Sequence, residues 1–245
     1  MIDKTMKTNK SLRRGFTLVE LLVVIVIIAA LAGLTAPMVI RERKKADQAE
    51  AVNNARQIGI ALLDFEKEYT TFPDDTTAIA VKGVTDTALV SGTTSNDRFR
   101  QLVRAGIAQS EAMFYAKTAY TQKPDGILTT DIQALAAGEV GFGILMDGVK
   151  GLSAVGDPSR PIAAAPFKLA MNGTFDSDFY DSKAVILRLD NSVTSLPIVS
   201  TTGNVKIKGK TMTETGTDSV WGITTVVPTW SYPDPKNQFV IKKDE

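Results

Sequence analysis

The chain contains neither cysteine nor histidine in its 245 residues. Lacking cysteine, it has no structural disulfide, no thiol nucleophile, no thiolate metal site and no residue to carry a lipoprotein's acyl chains. Lacking histidine, it is without the usual general base and the Ser-His-Asp triad. Phosphate-binding loops are missing too: Gly141-Phe142-Gly143 does not extend into a dinucleotide fingerprint, and no glycine loop runs into Gly-Lys-Ser/Thr. The net charge is only +1, so there is no strong case for nucleic acid. These absences leave little material for catalysis, and an enzyme is not expected.

What is present is a marked asymmetry at the N-terminus. Residues 1–15 carry Lys4, Lys7, Lys10, Arg13 and Arg14 against Asp3, a net +4 that, taken from the chain's +1, leaves −3 for the remainder. Residues 16–40 then hold only Thr17, Glu20 and Thr35 as polar side chains. At about 1.5 Å per residue this run reaches roughly 37 Å as a helix, enough to cross a hydrocarbon core of about 30 Å. Glu20 is the anomaly. A carboxylate within a membrane-spanning helix costs about 2.5–3.5 kcal/mol on insertion scales, so it calls for a job and a partner.

A secretory signal peptide would use a small-residue site such as Ala30-Leu31-Ala32, but Glu20 suits a disposable apolar core poorly and the run continues through Val39 and Ile40. A plain single-pass anchor explains the length and not Glu20. The stretch Arg13-Arg14-Gly15-Phe16-Thr17-Leu18-Val19-Glu20 resembles the cleavage and methylation motif of type IV prepilins and type II secretion pseudopilins, and the resemblance covers about the first 55 residues. It implies cutting by a prepilin peptidase after Gly15, N-methylation of Phe16, and a need for Glu20 in assembly. The implied fold is α+β and pilin-like: a leader at 1–15, a transmembrane assembly helix at 16–40, its amphipathic continuation at 41–72, and a β-rich globular head at 73–245. The implied partners are the peptidase, the inner-membrane assembly platform, the lipid bilayer, and this chain or other pilins and pseudopilins through the helix. The implied location is the bacterial inner membrane, leader cytoplasmic and head periplasmic, and then a periplasmic or extracellular filament. Charge alone does not orient the span, because Arg41, Arg43, Lys44 and Lys45 nearly balance the leader.

Charge physics agrees with the resemblance. Cutting after Gly15 would turn the uncharged Phe16 amide into a positive amine, and methylation would keep that charge. In a staggered bundle, Glu20 of one subunit then pairs with the Phe16 amine of its neighbour, and the cost of leaving either charge unpaired selects the register. Pro37 lacks an N–H and crowds the carbonyl of Gly33. A bend or local melting is expected there, with the end of the membrane helix as the plainer reading.

Beyond the apolar run, Ala51, Ala55, Ile58, Leu62, Phe65 and Tyr69 alternate spacings of four and three, the stripe of an amphipathic helix. Asp47, Gln48, Glu50, Asn53, Asn54, Asp64, Lys67 and Glu68 lie largely off it. The helix should end between Tyr69 and Phe72, before Pro73, and the stripe calls for a head to bury it. Residues 70–96 read as a surface loop with order hinted only at Ala78 to Val81, and Asp74-Asp75 reads as turn chemistry. Asn96 or Asp97 is expected to cap a helix carrying Phe99, Leu102 and Val103, Ser110-Glu111 to open a short helical piece, residues 123–126 to turn, and 131–137 to be helical. Strands are expected at 140–146, 184–189, 192–196, 205–207 and 223–227, with Asp190-Asn191 as a two-residue hairpin turn. Residues 157–166 read as an irregular loop, and 230–235 as a surface strand or tail.

Asp176, Asp178 and Asp181 gather carboxylates in one loop, a calcium candidate without the EF-hand's glycine and closing glutamate, and no other cofactor is expected. Trp221, Trp230 and Tyr232 form a candidate binding patch or, as is commoner, anchor a core or interface. Two functions follow: a structural subunit of a type IV pilus-like or type II secretion pseudopilus filament, or a minor pilin whose head binds a surface, DNA or a secreted protein. A head larger than that usual for a major pseudopilin points to a minor or lineage-specific member.

Overall fold

The structure is a computed structural model describing residues 16–85, 92–129, 133–148, 150–168, 173–207, 209–211 and 229–234. The leader with Gly15, Asp131, Trp221, the strand expected at 223–227, and Pro235 lie outside the described residues. The chain forms two compact units that divide between Glu42 and Arg43. Its helices are α1 (Leu18–Tyr69), α2 (Asp75–Thr85) and α3 (Ser95–Arg104), followed by a 3-10 turn (Glu111–Phe114). Its strands are β1 (Gly143–Asp147), β2 (Lys150–Gly151), β3 (Pro161–Ala165), β4 (Lys183–Arg188), β5 (Val193–Val199), β6 (Asn204–Ile207), β7 (Lys210–Thr211) and β8 (Thr229–Ser231).

α1 is 52 residues long. Its first part is apolar on every face, and its most apolar stretch is not buried by the described chain. Its second part buries the expected stripe, Ala51, Ala55, Ile58, Leu62 and Phe65, while Tyr69 stacks on Phe65 with ring centroids 4.5 Å apart. The helix stops at Tyr69, where Thr70 turns to φ +70°. Asn54 departs from the expected polar face. It is buried, and its Nδ2 donates to the carbonyls of Ala112 and Tyr115 at 3.0 and 2.9 Å, partners that only the folded head supplies.

The head's sheet is antiparallel, ordered β2-β1-β3-β4-β5-β6-β7 with β8 also paired to β1. One hydrophobic cluster joins the α1 stripe to Phe99 and Leu102 of α3 and to the buried residues of β1, β3 and β4. Three expectations are corrected. The irregular loop at 157–166 contains β3, fully buried between β1 and β4. Pro161 is its first residue and Pro166 follows its last, so the prolines mark the ends of a strand rather than a loop. The surface strand or tail expected at 230–235 begins within β8, a strand that is not on the surface: its Trp230 is buried opposite Leu145, 5.0 Å from the Phe167 ring. The surface loop at 70–96 contains α2, which begins where Asp74 Oδ1 accepts the N–H groups of Thr76 and Thr77, both at 2.8 Å.

Smaller shifts have local causes. The cap of α3 is Thr94 rather than Asn96 or Asp97. Its hydroxyl accepts from the Asp97 N–H, and the Asp97 carboxylate accepts from the Thr94 N–H. The hairpin turn is longer than two residues: Asn191 N–H donates to Arg188 O at 3.0 Å, and only Asn191 takes a positive φ, +61°. Residues 133–139 are turns and not helix, with Leu135 at φ +52°.

Candidate functional site

The first turn of α1 carries the candidate assembly residues. Phe16 is exposed just before the helix. The Thr17 N–H and hydroxyl donate to Glu20 Oε2 at 2.9 and 2.7 Å, and the Glu20 N–H donates back to the Thr17 hydroxyl at 3.2 Å. This is a reciprocal capping box: each side chain satisfies an amide that the helix cannot. Glu20 therefore has a partner within its own chain. The motif resemblance leaves Thr17 without a role, although Thr-x-x-Glu ahead of an apolar run is the capping-box signal.

Farther along, α1 runs unbroken through Pro37. The melting expected between Gly33 and Pro37 does not occur, because proline removes one hydrogen bond while the turns on either side keep theirs. Thr35 Oγ1 donates back to Leu31 O at 3.0 Å. A Cβ placed on Gly33 would meet nothing within 4 Å, so no contact among the described residues requires a glycine there.

In the head, Asp176, Asp178 and Asp181 do not converge as a ligand set, and Asp176 Oδ1 accepts the Asp178 N–H at 3.0 Å within its own turn. The carboxylates that do converge among the described residues are Glu111, Asp125 and Glu139, with oxygens within 4.8 Å of one another. Their acceptor positions already serve the backbone. The Glu111 oxygens take the N–H groups of Leu135 and Gly126, each at 2.8 Å, and those of Glu139 take Ala136 at 2.7 Å and Asp125 at 3.1 Å. From the other side, Asn96 and Arg100 of α3 donate to the carbonyls of Ala134, Leu135 and Ala136. The cluster therefore staples a segment, 133–139, that belongs to no helix or strand and so lacks a backbone ladder for its polar groups. Burial pushes the Glu139 carboxyl above its ordinary value. The amides of Asp125 and Ala136 oppose that rise, and the charges of Glu111 and Asp125 add to it. Beside the cluster a cleft of about 280 Å³ is lined by Glu50, Glu111, Tyr115 and Lys123, a mixture of signs that selects no charge of ligand.

Residues 10–36 match the prokaryotic N-terminal methylation motif. Over 142 residues the chain is 28% identical to the type II secretion system core protein G of Klebsiella pneumoniae, covering 56% of this chain and 87% of that protein. Over 144 residues it is 28% identical to the protein of the same name from Pectobacterium carotovorum subsp. carotovorum, covering 57% of this chain and 80% of that one. The chain is thus similar to type II secretion pseudopilins, and its N-terminus carries their kind of methylation motif.

No solved structure matches this chain. Its fold is α+β and pilin-like, one long N-terminal helix and an antiparallel head. The matched motif holds Phe16, Thr17, Glu20 and Gly33, and ends before Pro37. Trp230 and Tyr232 both lie against Phe167, at 5.0 and 5.2 Å between ring centroids, as part of the head's core rather than a binding patch.

Proposed function

We propose that this chain is a structural subunit of a type II secretion pseudopilus, stored in the inner membrane by residues 16–40 until it assembles with other pseudopilins. The observation that carries this reading is the methylation-motif match, which falls on a helix whose apolar part is left uncovered by the described chain. A surface of that kind needs lipid first and neighbouring helices afterwards. Both core protein G relatives align over most of their own length, which favours a pseudopilus subunit over a binding head on a pilus. In this reading a prepilin peptidase cuts after Gly15 and methylates Phe16, with the leader cytoplasmic and the head periplasmic. The new amine then pairs with Glu20 of a neighbouring subunit as the assembly platform adds it to the filament. The role is structural, and no reaction is assigned to the chain.

Mass spectrometry of the mature N-terminus, combined with imaging of filaments, tests the proposal. The expected product starts at Phe16, carries one added methyl group and is found in filaments. An unmodified start at Gly33 would identify a signal-peptidase product and overturn it.

A further inference from the structure

We propose that Arg43, Lys44 and Lys45 form a collar that binds the phosphate headgroups of anionic phospholipids where the apolar run ends. The proposal rests on the reading of residues 16–40 as a membrane span. That run stops at Ile40, and roughly 37 Å of helix against a hydrocarbon core of about 30 Å brings the residues after it to the headgroup layer. Residues 41–45 include one acid, Glu42, and keep a net +3. Arg43 and Lys45 are exposed and Lys44 is half-buried. Their flexible stems let the charged ends reach phosphate level.

The distribution of charge around the helix separates a lipid from a protein partner. Successive helical residues lie about 100° apart, so these three side chains spread over about 200° of the circumference. A partner helix lying along α1 would need its contacts on one face, at spacings of three and four. A headgroup layer surrounds the helix and meets every direction equally. The next acid along the chain, Asp47, is paired within the head to Lys117 at 2.8 Å.

The test uses the full chain in detergent micelles, titrated with phosphatidylglycerol or phosphatidylcholine and read by native mass spectrometry as lipid retained per chain. Each basic group at an anionic surface contributes about fivefold in partitioning. The unaltered chain is therefore expected to prefer phosphatidylglycerol by at least about tenfold. The variant R43Q/K44Q/K45Q is expected to weaken that preference by at least about tenfold, the basic leader keeping its own share, and the charge-conserving R43K/K44R/K45R to keep it in full, with equal helix content by circular dichroism. Equal retention of the two lipids by the unaltered chain, or an undiminished preference in the glutamine variant, overturns the collar. A chain that stays monodisperse without detergent overturns the membrane reading itself and the collar with it.

Discussion

Thr17 and Glu20 hold each other across the first turn of α1, the hydroxyl and amide of one donating to the carboxylate of the other and receiving its amide in return. Glu20 thus has an in-chain partner before any neighbouring subunit arrives. In the assembly proposed above, pairing with a second chain's Phe16 amine would be an exchange of partners rather than the first satisfaction of a bare charge. Such an exchange would gain because an amine carries a full charge where the cap offers neutral donors.

Glu20→Ala and Thr17→Val separate the two roles. Glu20→Ala removes both the cap and the assembly carboxylate, so the cleaved form is expected to accumulate in the membrane while filament yield falls strongly, as read by immunoblot and imaging. Thr17→Val keeps the carboxylate but removes the hydroxyl. Several-fold faster amide exchange is expected over residues 18–21 in micelles, with filaments still formed. Normal filaments from Glu20→Ala would sink the exchange.

Asp74 is a buried cap that joins α2 to the sheet: its carboxylate accepts from Thr76, from Thr77 and, at 3.2 Å, from the Gly151 N–H of β2. Asp74→Ala is expected to destabilise the head by about 2 kcal/mol, measured by denaturant unfolding. Burial pushes this carboxyl up, but the hydrogen bonds of Thr77, Thr76 and Gly151 outweigh burial and leave it below its ordinary value. A depressed folded-state value favours the ionised form. The contribution is therefore present above roughly pH 4 and is lost as pH falls through the folded value. An acid limb of the stability curve unchanged in Asp74→Ala would refute this assignment.

Glu139 has the opposite sign. Its carboxyl is raised by burial and by the neighbouring Glu111 and Asp125, so the folded state holds the proton more firmly than the unfolded one does. The stability this adds is present below the ordinary carboxylate value and is lost as pH rises through the folded value. Asp125→Asn keeps the oxygen that accepts the Ile127 N–H at 2.8 Å and removes only the charge. A carbonyl-carbon NMR titration is expected to show the Glu139 midpoint falling in this variant. A midpoint that stays put would mean the Asp125 charge does not reach Glu139.

Gly59 lies on the buried face of α1 under the β4–β5 turn, where an added Cβ would collide with Asn191 Oδ1 and sit 3.1 Å from Leu187 Cδ1. Alanine is intrinsically the better helix former by about 1 kcal/mol. A rigid clash in a packed site costs about 1–3 kcal/mol, so Gly59→Ala is expected to be destabilising on balance. Asn191→Gly in the same chain removes the colliding side chain and suits the φ of +61°. Chemical denaturation should find the double variant more stable than Gly59→Ala alone, and the reverse order would show that the clash is not what sets the cost.

Local periodicity and local chemistry are enough to write much of this protein from its sequence. The apolar run at 16–40, the stripe from Ala51 to Tyr69, the stop before Pro73 and the prepilin-like motif around Glu20 each depend on residues a few positions apart, and a helix obeys that spacing whatever surrounds it. Tertiary structure decided the rest. Ala163, Ala164 and Ala165 carry no strand signal of their own, and they form a strand because β1 and β4 supply hydrogen bonds to both edges. Leu135 sits at a positive φ because Glu111, Asn96 and Arg100 satisfy its amide and carbonyl from far along the chain. Asn54 is buried on what reads as a polar face because Ala112 and Tyr115 offer it two carbonyls. A backbone group must find a partner once water is excluded, and only the folded chain determines which distant residue provides it.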